Sequence, residues 1–318
     1  MNTAADPANP ARGCFLLVGA TAVGKSEVAL LLAEKLGAEI VCVDSMQVYR
    51  GLDIGTAKPA AEERRRIPHH LIDVAELTQS FDVARFVDSA GNTVKEIKSR
   101  GKVPLLCGGT GFYFKAFLEG LGDAPPAAPT LRAELERLPA EERLRELAKR
   151  DPETFKRIDQ KNPRRVIRAL EVIRLTGMPF SAQRAQWSQP SPEYFCVGLS
   201  RASGDLRRRI DLRVEQMFTE GLVAETEQLL KSGLQQNPTA SQALGYRQVI
   251  EYLQGLRPLA ETIDLVKIRT RQFAKRQMTW FRRQLRVTWV HLDENQSTES
   301  VVNDLAQRFQ PTSPERRL

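Results

Sequence analysis

Four cysteines and three histidines are all that 318 residues contain, and they form no metal-binding or redox pattern. Cys14, Cys42, Cys107 and Cys196 lie far apart, mostly within apolar runs such as EIVCVD and VPLLCGG, and no Cys-x-x-Cys spacing occurs. This excludes a zinc ribbon or finger and argues against a disulfide framework, leaving buried, reduced thiols as the expectation. The longest apolar stretches, such as VALLLA, fall far short of the ~20 residues a membrane helix needs. The opening MNTAADPANPARG has no basic-then-apolar leader pattern. No membrane partner is expected, and the location expected is cytoplasmic. An N-K-x-D guanine signature is also missing, and no apolar run other than the one before Asp44 ends in a Walker-B-like aspartate. The sequence contains no internal repeat.

What is present belongs to a folded chain. Hydrophobic residues make up 42 % and charged residues 27 %, the balance of a globular protein rather than a disordered one. The length exceeds that of one compact domain and suits a core plus an inserted module. Lys and Arg outnumber Asp and Glu by 47 to 39, a net +8, which favours a polyanionic partner without naming one. Solvated basic helix faces would give the same count.

Apolar, strand-like runs cover Cys14 to Val18, Glu39 to Val43, a short stretch at His70 to Val74, and Val103 to Cys107. Helical periodicity runs from Lys25 to Leu36, stopping at Gly37, and recurs through Val83, Val87, Val94 and Ile97. Alternation of this kind predicts an α/β fold, a P-loop NTPase-like parallel sheet core flanked by helices. The Gly/Pro-rich GLGDAPPAAPT breaks the pattern, and a charged helical stretch follows from Leu131 to about Arg174. Another strand at Tyr194 to Leu199, long helical patterns from about Asp205 to Gln284 and a last strand at Val287 to His291 complete the chain. The expected organisation is a discontinuous core (11–120 plus 191–310), an inserted all-helical module (121–190) and flexible termini (1–10 and 311–318).

In such sheets ligands sit beyond the carboxyl ends of the strands, and here those ends carry unusual residues. Gly19-Ala20-Thr21-Ala22-Val23-Gly24-Lys25-Ser26 fits G-x4-G-K-[ST] at every fixed position, between a strand and a helix. Loop and helix N–H groups would cradle phosphate, Lys25 adds charge, and the Ser26 hydroxyl can ligate Mg²⁺. The loop reads charge and geometry, so ATP or another nucleotide is its default ligand, and another diphosphate fits equally. Asp44 follows the second strand and stands across from the loop as metal ligand, general base or ordinary turn residue. Gly108 to Gly111 form the third loop expected to converge there.

The chain resembles the bacterial tRNA dimethylallyltransferases, also called isopentenyl-tRNA transferases. The resemblance rests on GATAVGKS (Gly19 to Ser26), DSMQVYRGLDIGTAKP (Asp44 to Pro59), IPHHLID (Ile67 to Asp73) and GGTGFY (Gly108 to Tyr113). RRVIRALEV (Arg164 to Val172), QALGYR (Gln242 to Arg247) and TRQFAKRQMTWFR (Thr270 to Arg282) extend it over nearly the whole length. It departs at Ala20, where many relatives have Pro, and at Arg164, where many have Gln. The zinc-finger extension of eukaryotic members is absent, and Ser203-Gly204-Asp205 stands where a family Asp-Arg pair is usual.

The resemblance implies that the P-loop grips dimethylallyl diphosphate with Mg²⁺, and that the exocyclic amine of the tRNA adenosine just 3′ of the anticodon attacks the allylic carbon. It makes Asp44 the general base, Thr110 the hydroxyl on the bridging diphosphate oxygen, and Arg132 an arginine near the same leaving group, with Arg209 and Arg213 nearby. Contacts to the tRNA anticodon stem-loop fall to Asp44, Ser45, Met46 and Gln47, which read the flipped adenosine. In the insertion they fall to Arg164, Arg165, Val166, Ile167 and Arg168, and after it to Gln242, Ala243, Leu244, Gly245, Tyr246 and Arg247. The last group is Lys275, Arg276, Gln277, Met278, Thr279, Trp280, Phe281 and Arg282. Lys267, Arg271, Lys275 and Arg282 recur at spacings of 4, 4 and 7 and should share one helical face open to phosphates. A monomer is implied. His69 and His70 lie in a matching block without a derived role. An ATP-using P-loop small-molecule kinase is the competing reading, and an NTP-regulated RNA-binding module without catalysis is another.

Overall fold

The computed structural model describes residues 11–122, 124–183 and 194–309. The termini expected to be flexible, 1–10 and 311–318, lie outside the described residues. The chain divides into one unit formed by Met1–Leu118 with Pro190–Leu318 and a second formed by Glu119–Gln189.

The first unit is built on six parallel strands: β1 (Phe15–Gly19), β2 (Ala38–Val43), β3 (His69–His70), β4 (Val103–Gly108), β5 (Phe195–Ser200) and β6 (Thr288–His291), in the order β3-β2-β4-β1-β5-β6. All the pairings are parallel. The third strand is shorter than the sequence suggests. Leu71 and Asp73 take positive φ values of 62° and 57°, so the chain turns out of the sheet after His70.

The helices before the insertion are α1 (Lys25–Leu36), α2 (Ala61–Arg66), α3 (Val83–Ser99) and α4 (Gly111–Glu119). Those of the insertion are α5 (Pro129–Arg137), α6 (Ala140–Arg150), α7 (Pro152–Arg157), α8 (Pro163–Thr176) and α9 (Phe180–Gln183). The chain then adds α10 (Ser203–Thr219), α11 (Leu222–Lys231), α12 (Tyr246–Leu253), α13 (Leu259–Gln284) and α14 (Thr298–Arg308).

Both faces of the sheet are covered, which is why its central strands read as unbroken apolar runs instead of alternating ones. Phe15, Leu17, Ile40, Leu105 and Val197 point to one side, where α1 and α14 bury Val28, Leu32, Ala33, Val301 and Leu305 against them. Leu16, Val18, Val41, Val43 and Leu106 point to the other, beneath Phe86 and Val94 of α3, Phe114 of α4 and Phe281 of α13. The second unit has its own core of Leu135, Leu147, Val166, Ile167, Leu170 and Ile173. There Glu171 is buried and accepts hydrogen bonds from Ala128 N and Arg168.

Strand ends in this sheet sit unusually close. β2 and β4 pair in register from Ala38↔Val103 to Val43↔Gly108, and a Cβ placed on Gly108 would lie 2.0 Å from the Val43 carbonyl oxygen. Gly108→Ala should therefore push the ends of β2 and β4 apart and cost about 1–3 kcal/mol or more. Urea denaturation would register this as a lower midpoint, and an unchanged midpoint would mean the strand ends part freely.

Candidate active site

The strand ends of β1, β2 and β4 open on a cavity of about 560 Å³. Thr21, Lys25, Asp44, Gly109, Arg209 and Arg213 are among its lining residues. The three loops expected to converge do so.

The phosphate loop runs from Gly19 into α1, whose N-terminus carries no side-chain cap, leaving its first amides facing the cavity side. Gly24 has φ 110°, a conformation that L side chains rarely adopt, and Ala22 has φ 61°. Two arginines hold this strained loop by its carbonyls. Arg209 Nε donates to Ala22 O at 3.0 Å, and Arg201 Nε donates to Val23 O at 2.8 Å. Arg201 is in turn braced by Asp205 at 2.9 Å. Carbonyls drawn outward to guanidinium groups turn the remaining N–H groups of the loop and helix start towards an anion, while Thr21 N and Val23 N are held within the protein by Gln277 Oε1 and Ala20 O. Arg201 was not legible as a site residue. It follows the end of β5, and only the sheet order brings that strand beside β1.

Lys25 Nζ donates to Ala20 O at 2.6 Å. Burial lowers the Lys25 pKa from 10.5 to about 8, with Arg213 adding to the effect and Cys107 and Asp44 opposing it. Arg213, lining the same cavity, is also lowered, first by burial and then by Arg209, with Asp44 acting against both. It forms no hydrogen bond or ion pair among the described residues. Lys25, Arg209 and Arg213 thus share one pocket, whose lining also includes Glu27, Asp44 and Glu63, and Asp44 is the carboxylate that acts on both Lys25 and Arg213.

Asp44 supplies that carboxylate. Its Oδ1 accepts from Met46 N at 2.8 Å and Gln47 N at 3.3 Å, closing a turn after β2, and Oδ2 has no hydrogen-bond partner among the described residues. Thr110 Oγ1 accepts from Ser45 N at 3.1 Å, and Thr110 N donates to Val43 O at 3.2 Å, so Asp44 and Thr110 are tied together across β2 and β4. The Thr110 hydroxyl proton stays available to an acceptor. Gln47 is engaged at both ends, donating to Thr56 O and Ala57 O and accepting from the Cys42 thiol. His69 lines the cavity with Nδ1 on Ile67 O at 2.8 Å, which places the ring proton on Nδ1, and burial lowers its pKa. His70 is outside the cavity lining and pairs with Glu39 at 2.7 Å.

The family model described as IPP transferase matches residues 47–284. The chain belongs to the IPP transferase family. It is 47 % identical over 292 residues to a protein of Trichlorobacter lovleyi named tRNA dimethylallyltransferase 1, covering 89 % of this chain and 95 % of the relative. It is 41 % identical over 298 residues to a tRNA dimethylallyltransferase of Pelotomaculum thermopropionicum, covering 92 % and 95 %. Among solved structures, the tRNA isopentenylpyrophosphate transferase of Bacillus halodurans superimposes with a TM-score of 0.67 at 40 % identity, over 92 % of this chain and 95 % of that one. A eukaryotic dimethylallyltransferase described as acting on tRNA gives 0.78 at 25 % identity, over 95 % and 81 %.

The residues assigned to tRNA contact by family resemblance are divided by the fold between surface and core. Arg164, Arg165, Gln242, Arg247, Lys275, Arg276 and Arg282 are exposed, whereas the side chains of Val166, Ile167, Ala243, Tyr246, Gln277 and Phe281 are buried. Helical and loop motifs mix the two because consecutive residues point in different directions. Tyr246 donates to Glu225 at 2.5 Å and accepts from Gly55 N at 3.0 Å, shaping the loop that receives Gln47. Arg168 is held by Glu171 at 2.7 Å. Arg132 lies on α5 with its guanidinium 4.0 Å from the same carboxylate.

The face expected to be open to phosphates is not wholly open. Lys267 pairs with Glu215 at 2.7 Å and Arg271 binds both carboxylate oxygens of Asp211, because α10 packs along that side of α13. Lys275 and Arg282 remain exposed, the latter over the Trp289 ring. All four cysteines are free, and Cys42 and Cys107 line the cavity. Among the described residues no helix is long and apolar enough to cross a membrane.

The depressed Lys25 gives a pH signature. With the free-protein pKa near 8, an anion that demands a charged ammonium must be accompanied by a proton at higher pH. Affinity for inorganic diphosphate should be insensitive to Lys25 below pH 8. It should then fall, by up to about tenfold per unit, as pH rises from 8 towards the higher pKa of the complex. Calorimetry at pH 9 in buffers of different ionisation enthalpy should register proton uptake that Lys25→Met abolishes.

Proposed function

We propose that the protein transfers a dimethylallyl group from dimethylallyl diphosphate to the exocyclic amine of the adenosine immediately 3′ of the anticodon in tRNA, releasing diphosphate. One observation carries the reading: Asp44, with Oδ2 open, lines the same cavity as Lys25, Arg209 and Arg213. An acceptor of one proton and a cluster of cations face one space, as a displacement by an amine with a diphosphate leaving group requires.

In the step, the adenine N6 lone pair attacks the allylic carbon, the carbon–oxygen bond breaks and its electrons leave on the diphosphate. One N6 proton passes to Asp44 Oδ2. Charge develops mainly on the leaving group, so fixed loop amides, Lys25 and the arginines supply the stabilisation. Thr110, whose Oγ1 accepts from Ser45 N and keeps its own proton to give, is assigned to the bridging oxygen by family resemblance, as Arg132 is to the same leaving group. The target base must leave the anticodon stack to enter the cavity, which costs a few kcal/mol that backbone contacts offset.

Mg²⁺ suits this donor set. No group of three or more His, Cys, Asp or Glu side chains that could hold a metal occurs among the described residues. The Ser26 hydroxyl at the loop's end and the Asp44 carboxylate across from it suit an ion that keeps most of its waters and binds through substrate phosphates. Ser26 would hold it, and when bound it neutralises developing phosphate charge. Exposed Arg165, Arg247, Lys275, Arg276 and Arg282 are assigned to the tRNA backbone, whose recognition is expected through single-stranded loop contacts. The reading takes the enzyme as cytoplasmic, in line with its scattered reduced cysteines, and as a monomer, as the family resemblance implies.

Incubation with Mg²⁺, radiolabelled dimethylallyl diphosphate and unmodified tRNA, followed by nucleoside analysis, should place label in that adenosine. Asp44→Asn is the informative variant, since its amide oxygen keeps the turn to Met46 while losing the base. It should lower turnover ~10²–10⁴-fold with diphosphate binding within a few fold of wild type. No transfer, with ATP turnover in its place, would favour a kinase.

A further inference from the structure

Gln277 is buried on α13, with 8 % of its surface exposed. Its Oε1 accepts from Thr21 N at 2.9 Å, and its Nε2 donates to Gly109 O at 2.9 Å. Thr21 belongs to the loop after β1 and Gly109 to the loop after β4, so one uncharged amide bridges the two loops that carry the cavity's chemistry. It can do so because an amide carries a strong acceptor and a strong donor on two separate atoms at one end. The close fit extends along the helix. A Cβ on Gly109 would lie 2.3 Å from Gln277 Nε2, and one on Gly111 would lie 2.1 Å from Trp280. Gln277 and Trp280 are three residues apart on one side of α13, so the glycines of this loop leave room for the helix to dock.

We propose that Gln277 is a positioning residue for the diphosphate: by joining Thr21 to Gly109 it fixes the phosphate loop relative to Thr110 and Asp44. The inference rests on reading the loop as a diphosphate site, and it moves Gln277 from tRNA contact to internal clamp. Without the amide, a loop N–H and a Gly109 carbonyl lose their partners, and the loop can settle in arrangements that no longer match the anion.

The test is calorimetric binding of inorganic diphosphate with Mg²⁺ to the full chain. Gln277→Met keeps length and loses both hydrogen bonds, and should bind diphosphate roughly tenfold or more weakly, with tRNA affinity of the ligand-free protein within about twofold. Gln277→Glu keeps the acceptor for Thr21 but sets a carboxylate against the Gly109 carbonyl, so at pH 8 its loss should be larger. Once protonated, that carboxyl matches the amide in shape and can donate to Gly109. The variant-to-wild-type affinity ratio should therefore recover severalfold between pH 8 and about 5.5, a rescue that a merely structural residue would not give.

Diphosphate binding by Gln277→Met equal to wild type, with tRNA affinity reduced instead, would overturn the clamp. Should Gln277→Met not fold, a flat ratio for Gln277→Glu across the pH range would overturn it. Absence of diphosphate binding by the wild-type protein would overturn the functional reading of the loop as well, whereas loss confined to the variants leaves that reading intact.

Discussion

The site depends on how closely the carboxyl end of β4 approaches that of β2. The Val43 carbonyl oxygen occupies the space a side chain at position 108 would need, and from that contact Thr110 N reaches Val43 O while Thr110 Oγ1 takes the Ser45 amide. Asp44 is thereby set beside Thr110 by backbone contacts and one short hydroxyl rather than by long flexible side chains. Gly109 then meets Gln277, and Gly111 meets Trp280. Glycine recurs in this loop because a strand and a helix both close on it.

Electrostatics explain why such a site must be rigid. Lys25 is held below its ordinary pKa first by burial and then by Arg213, and Arg213 first by burial and then by Arg209, while Asp44 is the carboxylate acting in the opposite direction on both. Cations that burial disfavours are costly in the folded chain alone and become favourable once an anion occupies the pocket. Arg201 and Arg209 resist the resulting strain by gripping the loop carbonyls of Val23 and Ala22. A positive φ at Ala22 persists because Arg209 and the packing around it fix that conformation.

Much of this was legible in the sequence. The unbroken apolar strands, the phosphate loop and the helix from Lys25 to Gly37 follow from local chemistry: period, turn residues and a glycine stop. Asp44 and the Gly108 loop were recognisable because each directly follows a strand. The strand at His69–His70 is shorter than the apolar run His70 to Val74 suggests, since the turn at Leu71 and Asp73 depends on φ values that neither residue type announces. The basic stripe on α13 is less open than its spacing suggests. Spacing placed Lys267 and Arg271 on one face, but not the acidic residues of α10 that pair with them.

By itself the sequence determined the fold class, the anion-binding loop, the candidate base and the excess of positive charge, because each is written in short-range pattern and composition. Only the tertiary structure decided which arginines hold the loop, which cations remain exposed and where Gln277 points. Those outcomes join residues as far apart as Thr21 and Gln277, or Val23 and Arg201. Such pairings arise from strand order and helix packing, and no local spacing encodes them.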